Sequence, residues 1–391
     1  MTSDERKYHP FQSADPPPTN LGIYRVLSPR ASLRVSPFCF GGATVGDKWS
    51  GYVPSVSKED SLKLLDSFYE MGGNFIDTAC NYQFEESEKI IGEWLETRGV
   101  RDQITVATKF TGVYKQADPS VKQKIAYFGN NFKNMTVSLE NSLKKLRTSY
   151  VDIYYVHFWD WDTSIKEVMD GLHNLVVSGK VLYLGISDTP AWVVAQANQY
   201  ADCMGKTPFS IYQGKWSILD RSFERDIIPM ARLNGMALAP FGVVGGGRLR
   251  TDEEEKQREK ANEKGRSVFG EDWKRTEPEK KLCLALEKVA GEVGTKNIRA
   301  VAIAYVMQKT PYVFPIIGTR SVESLKENLE ALNISLTPEQ VKYIESEGPP
   351  FDLGFPYDMI GDSTSMNWLF DMAGKIQRVP FQQAIRPSGS Q

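Results

Sequence analysis

Histidine is nearly missing from this chain: 391 residues contain three, at His9, His157 and His173. So few leave no cluster from which a multi-histidine metal site could be built. Cysteine is sparse too, with Cys39, Cys80, Cys203 and Cys283 far apart and never in C-x-x-C spacing. That pattern suggests neither a zinc cluster nor a disulfide framework, and it fits a reducing compartment. No apolar stretch approaches the roughly 20 residues needed to span a bilayer, so no membrane partner is expected. The N-terminal region, Pro-rich from Asp15 to Pro18, is unlike a signal peptide. The expected location is the cytoplasm. Charge of one sign is also lacking: 47 Lys plus Arg face 49 Asp plus Glu, a net charge of -2. Without a global basic field, nucleic acid is not an expected partner.

What is present is ordinary for a globular protein, with 41% hydrophobic and 25% charged residues. From residue 36 onward, short β-branched runs alternate with longer amphipathic ones. Strands are expected at Pro37–Gly41, Asn74–Asp77, Ile104–Lys109, Val151–His157, Val181–Ser187, Phe209–Gln213, Met236–Pro240 and Phe314–Ile317. The first helix starts at Ser57-x-x-Asp60, a capping box, and stops at Gly72-Gly73. Others are expected near 87–97, 133–147, 164–177, 190–201, 222–233, 279–292 and 321–331. Eight strand–helix units imply a parallel (β/α)8 TIM barrel. An open doubly wound sheet is the competitor, but no G-x-G-x-x-G follows the first strand. The whole chain, 1–391, reads as one domain: a β-hairpin at about 20–35, the barrel at about 36–332, and a tail at about 349–391. The loops at 111–131 and 245–278, with the aromatic tail (Phe351, Phe355, Tyr357, Trp368, Phe370), are where substrate specificity is expected to be set. The charge run Asp252 to Lys256 reads as a solvated helix.

The informative feature is positional. Asp77, Lys109, His157, Ser187 and Gln213 each end one of five successive strands, and in a parallel barrel those ends converge on one face. Tyr82 follows Asp77 by five residues. Alone, a phenol with a pKa near 10 is a poor acid at neutral pH. A nearby Lys109 ammonium is expected to lower that pKa, with Asp77 pairing to the lysine. His157 can hydrogen-bond a substrate oxygen or the phenol. Such a set suits carbonyl reduction, with hydride supplied by a nicotinamide cofactor because no side chain can supply it.

Several ordered motifs carry a family resemblance. Phe75-Ile76-Asp77-Thr78-Ala79-x-x-Tyr82, Ser87-Glu88-x-x-Ile91-Gly92, Val106-Ala107-Thr108-Lys109, Tyr150-Val151-Asp152-x-Tyr154-x-x-His157 and Gly179-Lys180-Val181-x-x-Leu184-Gly185-Ile186-Ser187 resemble the aldo-keto reductases. The resemblance implies an NADPH (NADP+) dependent oxidoreductase with the tetrad Asp77, Tyr82, Lys109 and His157, Tyr82 being the general acid. It implies that Ser187, Asp188 and Gln213 hold the nicotinamide carboxamide and that Trp216 stacks on its ring. Phe241, Gly242, Gly247 and Arg248 fall where the family covers the pyrophosphate. Gly318, Arg320, Ser324, Glu327 and Asn328 fall where it grips the adenosine end. Three positions depart from the pattern: Asp188 for a common Asn, Glu85 for a frequent Gly, which could narrow the pocket mouth, and Trp216 for the usual Tyr.

Tyr24-Arg25-Val26-Leu27-Ser28, Gly46-Asp47-Lys48-Trp49-Ser50 and His157-Phe158-Trp159-Asp160-Trp161 resemble the fungal aryl-alcohol dehydrogenase and norsolorinic-acid-reductase-like branch. Trp49, Tyr114, Trp159 and Trp161 would then line an aromatic pocket, and an aryl aldehyde or ketone is the expected substrate. Two other readings compete: a redox-sensing, slow-turnover NADPH-binding subunit of the same fold, and a metal-dependent barrel hydrolase. The scarcity of metal-ligand spacings speaks against the hydrolase. A barrel is complete as a monomer, so no oligomer is required.

Overall fold

Residues 13–51, 56–260, 273–361, 369 and 372–387 are described by the structure, a computed structural model. Strands β3 (Cys39–Gly41), β4 (Phe75–Asp77), β5 (Thr105–Phe110), β6 (Val151–Val156), β7 (Val181–Ser187), β8 (Phe209–Lys215), β9 (Ala237–Phe241) and β10 (Ile316–Ile317) form one sheet, in the order β10-β3-β4-β5-β6-β7-β8-β9. Every pairing between them is parallel. The sheet closes where Leu238 on β9 donates to the carbonyl of Tyr312 (2.9 Å) and accepts from Phe314 (2.8 Å). The eight expected strands are these eight, with ends shifted by two residues or fewer, and the barrel is the expected one.

The two-residue period of a strand divides each of them between two cores. Phe75, Ala107, Ile153, Tyr155, Ile211, Ala237, Ala239 and Phe314 fill the barrel interior. Ile76, Val106, Tyr154, Val156, Ile186, Tyr212 and Leu238 face outward into the larger core beneath the helices. The hairpin β1 (Arg25–Ser28) and β2 (Ala31–Val35) contributes Leu27, Ala31 and Val35 to the interior cluster, so it plugs one end of the barrel. One interior position has no room for a side chain. A Cβ at Gly185 would lie 2.4 Å from the Tyr155 ring.

Helices α1 (Lys58–Glu70), α2 (Glu86–Arg98), α3 (Phe132–Leu146), α4 (Ile165–Val177), α5 (Ala191–Cys203) and α6 (Phe223–Leu233) alternate with the strands as expected. Ser57 caps α1 by accepting from the Asp60 amide. The later half is richer than expected. The charge run is indeed a helix, α7 (Asp252–Lys260), and α8 (Glu277–Glu292) is followed by α9 (Ile298–Lys309), which the periodicity did not reveal. After β10 come α10 (Val322–Leu329), α11 (Pro338–Glu347) and α12 (Tyr357–Ile360). The described part of the tail runs along α6: Phe351 packs under the guanidinium groups of Arg221 and Arg225, Tyr357 donates to Asp226, and Phe381 meets Arg232. Trp368 and Phe370, like residues 261–272 of the long loop, lie outside the described residues. No helix among the described residues is long and apolar enough to cross a membrane.

A methyl group added at Gly185 must displace the Tyr155 ring, and overpacking of this kind costs about 1–3 kcal/mol. Gly185→Ala is therefore expected to lower the denaturant midpoint without changing its slope. An unchanged midpoint would contradict the packing of this layer.

Candidate active site

Parity and strand ends together assemble the site. Asp77, Lys109 and Gln213 continue the interior series of β4, β5 and β8, two residues beyond Phe75, Ala107 and Ile211. His157 continues β6 two residues past Tyr155, and Ser187 ends β7 two past Gly185. All five therefore lie at the same end of the barrel, above an apolar plug. Lys109 and Asp77 are buried there, while Tyr82 and His157 are half-buried.

Lys109 Nζ is the hub. It donates to Asp77 Oδ2 (2.5 Å), to the Thr78 carbonyl (2.8 Å) and to the Tyr82 hydroxyl (3.3 Å). Gln213 Nε2 donates to the other oxygen of Asp77 (3.0 Å). Burial works against the Lys109 ammonium, but the Asp77 and Tyr82 charges and hydrogen bonds outweigh it and raise its pKa. Burial raises the Asp77 carboxyl, and its partners offset this only in part. The two side chains meet as a buried salt bridge. The Tyr82 phenol departs from expectation: burial pushes its pKa above the ordinary value, and Lys109 counters without reversing this. The low-dielectric setting around the buried phenol disfavours phenolate and outweighs the nearby charge. His157 presents its ring edge-on to Tyr82 with centroids 5.7 Å apart, and its Nδ1 is buried without a hydrogen bond. Burial, then Lys109, pushes its pKa down to about 3, so the imidazole is neutral.

A cleft runs from this tetrad toward the start of α10. Ser187, Asp188, Gln213, Phe241, Gly242, Gly247, Gly318, Arg320, Ser324 and Asn328 all line it. Ser187 Oγ is buried there without a hydrogen-bond partner, the state of a polar group that awaits a ligand. Asp188 sits at φ 40 with its side chain still open to solvent, and partial desolvation at the barrel end pushes its carboxyl up to about 6 against the pull of Lys109. Three other expected residues are not on the wall. Trp216 is fully buried, stacked on Phe223 at 5.3 Å, with its indole N–H directed to Glu224. With no accessible surface it offers no face to a cofactor ring, so the stacking role expected of it is corrected. Arg248 pairs with Glu279, and Glu327 reaches the cleft only through Arg299, at 2.8 Å. The cleft adds two cations that the sequence reading missed, Arg258 on α7 and Arg299 in the first turn of α9. Arg258 lies two residues beyond the charge run Asp252 to Lys256, on the same helix, and Arg299 lies on a helix with no periodic signal.

Of the four aromatic residues expected in a substrate pocket, Trp49 alone stands against the tetrad, edge-on to Tyr82 and to Phe84 at 6.0 Å each. Tyr114 is buried with its hydroxyl accepting from Asn141, and Trp159 packs against the outer core. Trp161 is 66% exposed and leans on Trp192, itself 61% exposed. None of these three lines the cleft. Phe158, the residue between His157 and Trp159, has its ring 5.8 Å from His157 and was not among the expected pocket residues. Nor does any described residue of the tail line the cleft. Glu85 does not close the mouth; it turns away into ion pairs with Lys115 and Lys145.

These features converge on one class. The model of the Aldo/keto reductase family matches residues 37–347, and the chain belongs to that family, whose members are oxidoreductases. It is 56% identical to an aryl-alcohol dehydrogenase [NADP(+)] of Phanerodontia chrysosporium over 378 residues, 96% of this chain and 98% of that protein. A putative aryl-alcohol dehydrogenase of Saccharomyces cerevisiae is 55% identical over 91% of this chain and 94% of its own length. Norsolorinic acid reductase A of Aspergillus parasiticus is 44% identical over 96% of both chains.

Asp188 gives a test that needs no ligand. Its folded pKa, about 6, lies above the ordinary aspartate value of 3.8 that holds in the unfolded chain, and contact with solvent keeps the effect on stability small. At pH 3 both states are protonated and nothing is lost, whereas above pH 6 the fold must hold a carboxylate it disfavours. Asp188→Asn is therefore expected to melt at a higher temperature than the parent at pH 7 and at the same temperature at pH 3. Equal melting at both values would contradict the raised pKa.

Proposed function

We propose that the protein reduces aryl aldehydes or ketones to alcohols with NADPH, reversibly, and that Tyr82 is the proton donor. The observation that carries this reading is the Lys109 ammonium held between Asp77 and the Tyr82 hydroxyl at the base of the cleft. The cofactor fits the residues present. The unpartnered Ser187 hydroxyl, Asp188 and Gln213 would hold its carboxamide, and Phe241, Gly242 and Gly247 would follow the pyrophosphate. Arg258, Arg299 and Arg320 give the far end of the cleft the cations that suit a 2′-phosphate. When bound, the nicotinamide supplies the hydride.

The chain's own residues do the rest. The carbonyl oxygen enters between the Tyr82 hydroxyl and the His157 ring. As the carbonyl carbon is reduced, Tyr82 Oη gives its proton to the developing alkoxide. Lys109 stabilises the phenolate left behind, and Asp77 keeps the ammonium in place. His157, neutral at working pH, orients the oxygen by hydrogen bonding and is not the proton source. In alcohol oxidation the same phenolate takes the proton back. Trp49 and Phe158, flanking Tyr82 and His157, supply the apolar walls for an aryl group. The related dehydrogenases and the norsolorinic acid reductase support an aromatic substrate.

The test is NADPH consumption with a panel of benzaldehydes and aryl ketones, for the parent and for Tyr82→Phe. General acid–base catalysis contributes about 10²–10⁴-fold, and a loss of that size is expected with cofactor binding kept. Because the phenol pKa is raised, reduction stays level through neutral pH and falls only above about pH 10, while alcohol oxidation climbs as the pH rises. Cofactor binding with no turnover of any aryl carbonyl would contradict the reading and favour a slow-turnover, redox-sensing role.

A further inference from the structure

The segment that presents Tyr82 is an improbable piece of backbone. Gln83, Phe84 and Glu85 follow it at φ 53, 49 and 77, three consecutive left-handed residues without a glycine. L-residues avoid this region, so something must hold each of them there. Relaxation of any one would rotate the chain beside Tyr82 and swing its hydroxyl away from Lys109.

The first two have visible holders. Gln83 is buried, donates to the Ala43 carbonyl (2.8 Å) and accepts from the Trp49 amide (2.7 Å). Phe84 stands edge-on to Trp49. Glu85 is held by charge: Lys115 Nζ reaches its carboxylate at 2.8 and 3.1 Å, and Lys145 Nζ at 3.2 Å. Lys145 also donates to the Cys80 carbonyl at 3.1 Å, so one ammonium touches both feet of the turn whose apex is Tyr82. The cluster is enclosed. Glu85 and the Lys145 side chain are each 8% exposed, and Glu88, paired with Lys145 at 2.6 Å, is 0% exposed. Tyr114 seats both ammonium groups, with its ring centre 5.3 Å from Lys115 and 5.0 Å from Lys145. Thr108, the strand neighbour of Lys109, points outward by parity and donates to Glu88 at 2.5 Å. The catalytic strand and the tyrosine turn thus rest on one buried ionic cluster.

We propose that Glu85, gripped by Lys115 and Lys145, is a positioning residue that holds the Tyr82 hydroxyl against Lys109. The inference rests on the reading of Tyr82 as proton donor. It assigns a task to a carboxylate that never touches the cleft. It also explains how a non-glycine residue keeps a left-handed conformation at this point: the ion pairs offset the backbone cost. Through Lys115 the same carboxylate ties the 111–131 loop to the catalytic turn.

The test is Glu85→Gln in the full chain, which keeps the shape of the side chain and removes its charge, with Lys145→Gln as a second variant. A tenfold or greater fall in kcat for benzaldehyde reduction is expected, with KM and NADPH affinity within twofold of the parent. A merely structural ion pair would lower the melting temperature and leave kcat per folded molecule unchanged, and that result would overturn the proposal. Should Lys145→Gln fail to fold because Glu88 is left unpaired, Glu85→Gln decides alone. Carbon NMR of ring-labelled tyrosine makes the test independent of turnover, the Tyr82 resonance being assigned by its loss in Tyr82→Phe. A shifted or split Tyr82 resonance in Glu85→Gln supports the proposal even if the parent reduces no carbonyl. An unmoved resonance overturns it.

Discussion

The buried ion pair of Lys109 and Asp77 is the constraint around which this barrel is arranged. An ammonium and a carboxylate withdrawn from water lose several kcal/mol of hydration each. Only good geometry and further hydrogen bonds can offset that loss. Here the carboxylate receives Lys109 on one oxygen and the Gln213 amide on the other, while the ammonium also meets the Thr78 carbonyl and the Tyr82 phenol. Each partner comes from a different strand or from the loop just beyond one. The pair therefore needs β4, β5 and β8 in fixed register and Tyr82 held close. The barrel supplies the register, and the left-handed turn supplies the tyrosine.

Parity explains why one fold can be both a packed core and a polar site. Interior-facing positions of the strands are apolar at the hairpin end, with Leu27, Val35, Phe75 and Phe314. The same series turns polar at its last members, Asp77, Lys109, His157, Ser187 and Gln213. Charge is thus confined to the end where loops can cover it and a cleft can open. The phenol pKa follows from the same enclosure. Burial favours the protonated form of Tyr82, which suits the proposed donor role, and Lys109 is placed to stabilise a phenolate in that proposal.

Much of this was legible in the residues, and the gaps have physical causes. Strand positions were readable because β-branched runs end at polar residues, and that ending also located the tetrad. Helix α9 was not readable: from Ala300 to Gln308 it is buried all round, so it has no amphipathic stripe to betray it. Arg299 was lost with it, and Arg258 sits past the charge run, on the part of α7 that turns to the cleft. The aromatic residues were the least legible. Trp49, Tyr114, Trp159 and Trp161 look alike in sequence, yet Tyr114 seats two lysines, Trp159 packs on the core and Trp161 lies at the surface. Sorting them requires the path of each loop, which local patterning does not encode. Trp216 failed for the same reason, because a neighbouring Phe223 claims its ring face.

The proposed chemistry requires the Lys109–Asp77 pair to prepare Tyr82 for proton transfer. Its most direct test is the single-turnover rate of carbonyl reduction in Lys109→Met, with NADPH prebound and binding checked separately. A rate lowered at least 100-fold is expected, within the range of general acid–base effects of about 10²–10⁴, with the cofactor still bound. A rate within a few-fold of the parent would contradict it.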